Sequence, residues 1–263
     1  MIGLFLRKSL YEIWDTLLYS LVFNFAVTMV AVAGVLAASA VPGGLPFFAV
    51  ILLFFVIDGV LLTAFSALYG RTSDYRSFGF RDVLDALRGT WKTGIAFSAV
   101  LALCGLLLFA SVPFYFRMGN PFGFLVGGLL LWTLLALLTA LQWFLPVRYR
   151  LNSDFKTCLR KSLILFADNT GFSVFLLLFS LALLAVSLVL GFLIPGWTAV
   201  LLVQQGALRL RMFKYDWLEE AEKSGALPAD RRKVRVPWKE ILADESENIG
   251  HRTLKNFFMP WKN

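Results

Sequence analysis

The sequence predicts an all-α, polytopic membrane protein. Six transmembrane helices form three hairpins, with cytoplasmic amphipathic segments and a cytoplasmic C-terminal tail. Three observations carry this. Of 263 residues, 59% are hydrophobic and 16% charged, with 26 Phe and 8 Trp, too little polar material to cover a soluble domain of this length. The charge is gathered into a few short blocks. Between the blocks run apolar stretches of about 20 residues, the length needed to cross roughly 30 Å of hydrocarbon. The chain divides into a bundle over 1–214 and a tail over 215–263.

The apolar runs fall at 16–40, 46–69, 94–116, 122–147, 171–192 and 195–210. The first ends in "LAASA" at 36–40, which resembles a small-residue cleavage site. Glu12 and Asp15 interrupt the approach to it, however, and a cleavable signal has an apolar core of only about 7–15 residues. An uncleaved first span is expected. The last two runs are separated only by "LIPGW" at 193–197, where Pro195 and Gly196 suit a tight turn. The short sixth run begins with a proline at its first turn, where a missing N–H does no harm. Five spans with a kinked fifth is the competing count.

Charge sets the expected orientation. Of 25 Lys and Arg residues, 24 lie before the first run, in alternate connections, or from position 209 onward; Arg117 is the exception. The positive-inside rule makes that side cytoplasmic, with both termini inside and the outer face reduced to tight turns.

The chain also repeats itself. "LRKSL" occurs at 6–10 and 159–163, continuing as "YEIWDT" and "ILFADNT", with Asp15 and Asp168 in matching places. A looser third copy is "LDALRGTWKTG" at 84–94. Three hairpins, each preceded by a surface amphipathic stretch, account for this. Gly34 with Ala38, Gly123 with Gly127, and Ala33 with Ala37 are four apart, a spacing that lets membrane helices approach closely.

Asp58 is the one acid within a span, and no Lys or Arg shares its depth. A charge at the bilayer centre costs at least about 2.5–3.5 kcal/mol, so the neutral acid, a hydrogen-bond donor, is the expected form. Counting from the first hairpin turn puts Asn24 within about 3 Å of the same depth. An Asn24–Asp58 interhelical hydrogen bond is expected, with a proton or cation site at Asp58 as the rival. Gln142, Gln204 and Gln205 lie toward the cytoplasmic ends of their spans, where they either line a vestibule or cap helix contacts.

No catalytic or phosphate-loop signature is present, and intramembrane aspartyl chemistry needs two facing acids. The single histidine, His251, and the two cysteines, Cys104 and Cys158, at different depths exclude a Cys/His metal site and make a disulfide unexpected. No enzymatic activity and no cofactor is expected.

The tail differs in kind, interleaving twelve basic and nine acidic residues after position 208 with aromatics. Arg231, Arg232 and Lys233 form a juxtamembrane basic cluster suited to anionic lipid rather than nucleic acid. Leu254, Phe257, Phe258 and Trp261 make an apolar stripe at helical spacing beside Arg252, Lys255 and Lys262. That stripe is expected to dock on lipid, on its own bundle or on a protein partner.

The segments "SALYGRTSDYRSFGFRDVLDALRGTWKTG" (66–94), "FLPVRYRLNSDFKTCLRKSLILFADNTGFSVF" (144–175) and "LIPGWTAVLLVQQGALRLRMFKY" (193–215) together resemble the YesL-like family of small bacterial membrane proteins. The resemblance covers most of 50–215. It implies a six-span protein of the bacterial plasma membrane, of unsettled biochemical role, suspected of assisting carbohydrate uptake. The longer first span and the aromatic tail depart from that pattern. The expectation is a non-enzymatic accessory or scaffold docking through its cytoplasmic face, with a small transporter or channel using Asp58 as the alternative.

Overall fold

The computed structural model describes residues 1–151, 154–224 and 236–249, and among them every regular element is helical. Helix α1 (Ile2–Asp15) buries Phe5, Lys8, Ser9, Tyr11 and Glu12 along one face. It stops at Thr16, where the backbone leaves helical geometry before α2 (Leu17–Ser39) begins. Asn169 makes the same break between α8 (Phe155–Asp168) and α9 (Thr170–Val189). The two "LRKSL" copies therefore take one shape, with Ser9 and Ser162 both buried. Four residues past each break a buried serine meets an aromatic. Ser20 and the Tyr69 hydroxyl are 2.9 Å apart, and Trp143 Nε1 donates to Ser173 Oγ at 2.9 Å. The middle copy differs, because α4 (Phe80–Leu106) runs through its surface stretch without a break.

Helix α3 (Leu45–Ser73) lies along both α2 and α4. The α3–α4 approach is close. A Cβ on Gly59 would fall 1.7 Å from Ser98 Oγ, and one on Gly94 would fall 2.8 Å from the Val60 backbone. Gly34 against Phe54 and Gly123 against the Tyr115 carbonyl are the expected small-residue contacts. A π-turn at Leu107–Ser111 joins α4 to α5 (Val112–Arg117), where Pro113 cannot supply the next helical N–H. Helix α6 (Pro121–Leu141) is capped by Asn120, whose side chain accepts from Gly123 N at 2.7 Å, and α7 (Phe144–Leu151) follows.

Among the described residues five segments are long and apolar enough to cross a membrane: Leu17–Ser39, Leu45–Ser73, Phe80–Arg117, Pro121–Leu151 and Thr170–Val189. Helix α10 (Gly196–Lys223) is not among them. Its first half is buried at nearly every position and packs on α1, α2, α3 and α9, whereas its second half is charged. The short helices α11 (Trp238–Ile241) and α12 (Ala243–Ile249) close the described chain, with α11 packed on α10.

The turn between α9 and α10 is seated inside the bundle. Asn24 Nδ2 donates to the carbonyls of Leu193 (2.9 Å) and Pro195 (3.0 Å), and its Oδ1 accepts from Thr198 N (3.1 Å). Gly196 N donates to Ser187 Oγ at 2.8 Å. Gly196 has φ +68°, and a Cβ there would strike the Asn24 amide at 2.0 Å, so glycine is required on both counts. Asn24 is seven residues into α2, so the turn sits about 10 Å along that helix rather than at its tip.

Candidate functional site

Above the Asn24 clamp a cavity of about 380 Å³ lies among α3, α4, α6, α7, α9 and α10. Its wall is mostly apolar, built from Leu62, Phe97, Leu101, Leu141 and their neighbours. Phe97 is held flat by stacking on Phe144 at 4.8 Å. Five polar side chains face it: Asp58, Ser98, Gln142, Ser180 and Gln204. Size and lining match a small-molecule pocket, for which about 300–1,000 Å³ and a few convergent polar groups are usual.

Three of these groups are unsatisfied. Asp58 Oδ1, Gln142 Oε1 and Ser180 Oγ are buried and have no hydrogen-bond partner among the described residues. Gln142 and Ser180 are only 8% and 5% exposed. The Gln142 amide nitrogen is engaged twice, donating to Thr139 O at 2.7 Å and Ser173 O at 2.8 Å. Ser98 Oγ donates to Gly94 O at 2.8 Å, leaving only lone pairs. At the rim Phe55, Leu181 and Trp197 are 41%, 52% and 40% exposed, so the cavity opens on the apolar flank of the bundle.

The structure separates residues that depth counting had paired. The expected Asn24–Asp58 hydrogen bond does not form, because the Asn24 amide is fully engaged by the α9–α10 turn. Depth is one coordinate of two, and the azimuth around each helix decides which side chains meet. Gln204 and Gln205 part for that reason. Successive helical residues differ by about 100°, so Gln204 lines the cavity while Gln205 donates to Ser66 O and Oγ, both at 2.9 Å. Ser98 and Ser180 were not singled out in the sequence; serines within apolar helices are too common to carry a signal. The stripe of Leu254, Phe257, Phe258 and Trp261 lies outside the described residues.

A second polar assembly sits at the basic end of the bundle. Lys8 Nζ meets Glu12 Oε1 at 2.8 Å, Glu245 Oε2 at 3.3 Å and the Tyr75 hydroxyl at 3.0 Å. Tyr75 donates to Glu245 at 2.7 Å, and Arg209 binds both Glu245 and Asp74. Arg150 joins Asp74 at 2.8 Å. Burial raises the Glu245 carboxyl, but Lys8, Tyr75 and Arg209 outweigh it and hold its pKa below the usual range. Burial likewise opposes ionisation of Asp74, and Arg150 with Arg209 overcomes it. Glu12 goes the other way, raised by burial against the pull of Lys8. Three cations and three anions offset one another, so this assembly fastens α12 to α1, α3 and α10 rather than presenting charge. Leu242 is buried beside it, and Arg211 lies 5.5 Å from the Trp238 ring.

Comparison of the chain with family models, curated proteins and solved structures finds no match.

Proposed function

We propose that this chain is a non-enzymatic plasma-membrane protein that binds a small amphiphile in the Asp58 cavity. The observation that carries the reading is a largely apolar cavity of about 380 Å³ with five polar side chains in its wall, Asp58 the one acid among them in the described residues. Water would answer the polar groups and not the apolar wall; an amphiphile answers both. In this reading α10 is a short sixth membrane helix, and the basic ends face the cytoplasm. The α9–α10 hairpin returns to the side it left at any turn depth, so the orientation is independent of whether α10 spans fully.

The scaffold role expected from sequence drew on the tail as a docking element. Residues 236–249 are engaged by the chain's own bundle, while the docking stripe itself lies outside the described residues, so the reading here rests on the cavity. The setting implied by the YesL-like resemblance, assistance to a solute uptake system, is compatible with a binding subunit.

The test is thermal unfolding of the full chain in lipid nanodiscs against small aromatic compounds with anionic, neutral and cationic head groups. A ligand at 100 times its Kd stabilises by about 2.7 kcal/mol, a readable rise in midpoint. At least one class should raise the midpoint of the parent protein and not that of Ser180→Phe, which fills the cavity. Equal responses of the two proteins to every class would refute the proposal.

A further inference from the structure

We propose that the occupant is an amphipathic primary amine, its ammonium group on Asp58 and its apolar body among Phe55, Phe97 and Trp197. This rests on the cavity being a ligand site and adds its chemical class. Among the described residues Asp58 is the one ionisable side chain in the cavity wall, and no Lys or Arg lines it. The anionic form of Asp58 is disfavoured there unless a counter-charge arrives, and a bound cation supplies one.

Hydrogen-bond polarity points the same way. Both N–H groups of Gln142 are committed to backbone carbonyls, so it brings no donor to the cavity. Ser98 has donated its proton to Gly94 O and likewise retains only acceptor capacity. Asp58 Oδ1 accepts when the carboxylate is ionised. Ser180 and Gln204 can donate or accept, but the charged position is Asp58, and a primary ammonium brings it three donors and the opposite charge. A carboxylate head group is repelled by the ionised Asp58 and finds no cation in the cavity wall among the described residues.

The apolar part of the site suits the other end of such a molecule. Phe55, Phe97 and Trp197 are aromatic and give an apolar or aromatic body ring faces to pack on. The exposed rim residues Phe55, Leu181 and Trp197 open toward the lipid-facing flank, so an amphiphile dissolved in the bilayer enters sideways.

Three compounds of one shape isolate the head group: 2-phenylethylamine, 2-phenylethanol and phenylacetate. Each is titrated by calorimetry into the full chain in nanodiscs, using the parent, Asp58→Asn, Ser180→Phe and Leu101→Trp proteins, with thermal melts to verify folding. We expect the amine to bind the parent at least tenfold more tightly than the alcohol, and phenylacetate to bind most weakly. Asp58→Asn should bring the amine down to the level of the alcohol, and both filling variants should weaken all binding. Alcohol binding as tight as the amine, or an amine preference that survives Asp58→Asn, overturns the amine assignment and leaves the cavity a ligand site. Titrations in which no compound distinguishes the parent from either filling variant overturn both.

Discussion

Asn24 and Asp58 are polar residues in neighbouring spans, and their surroundings give them opposite roles. Asn24 makes three hydrogen bonds to the α9–α10 turn, whereas Asp58 Oδ1 makes none among the described residues. Asn24→Ala strands two carbonyls and one N–H, and is expected to lower stability by about 1–3 kcal/mol. Asp58→Leu breaks no hydrogen bond at Oδ1 and removes a group whose insertion costs about 2.5–3.5 kcal/mol. It should therefore leave stability unchanged or raise it in the absence of ligand. Unfolding of both variants in detergent checks the contrast; a loss for Asp58→Leu as large as for Asn24→Ala would show that Asp58 has a structural partner.

At the scale of elements, α12 is held by charge more than by area. Glu245 is buried among Lys8, Tyr75 and Arg209, and removing one member of a buried pair costs about 3–5 kcal/mol. Glu245→Gln should release residues 236–249, read as faster amide exchange there and at α1, with the membrane helices unchanged. The pH dependence follows from the depressed Glu245 pKa. Its contribution is complete above the ordinary glutamate pKa and is lost as pH falls through the lower folded value. Acidification below that range should loosen α12 in the parent protein and have no further effect in Glu245→Gln. The α9–α10 turn has its own test. With Asn24 and Ser187 enclosing it, a cysteine at Pro195 should react slowly with an impermeant thiol reagent, whereas one at Gly43 or Met118, both exposed, should react fast.

For the whole molecule, the arrangement of charge predicts its orientation. Basic residues collect at α1, at the α3–α4 and α7–α8 connections and along the second half of α10, with Arg117 the exception. The two fast-reacting cysteines should thus label from outside in intact cells. Labelling of Gly43→Cys and Met118→Cys only after lysis would reverse the orientation. The basic-end ion network also ties α1, the earliest helix, to α12, the last described, so the termini of the bundle close on one another.

The sequence by itself determined the class and the segmentation of the chain. Twenty-residue apolar runs admit only helices in lipid, because backbone groups there must bond within their own segment. It also marked the repeat, with "LRKSL" at 6–10 and 159–163 and Asp15 matching Asp168; the structure adds the breaks at Thr16 and Asn169. Periodicity and depth both act along one helix, and what they left open is lateral. Tertiary structure alone decided that Asn24 turns to the α9–α10 turn and away from Asp58, that Gln204 and Gln205 face different neighbours, and that Gln142 and Ser180 join Asp58 around one cavity. It decided as well that the first half of α10, expected as a short sixth span, is buried among α1, α2, α3 and α9. The physical reason is common to all of these: which face of a helix meets which partner depends on how six or more helices pack at once, and no single helix encodes it.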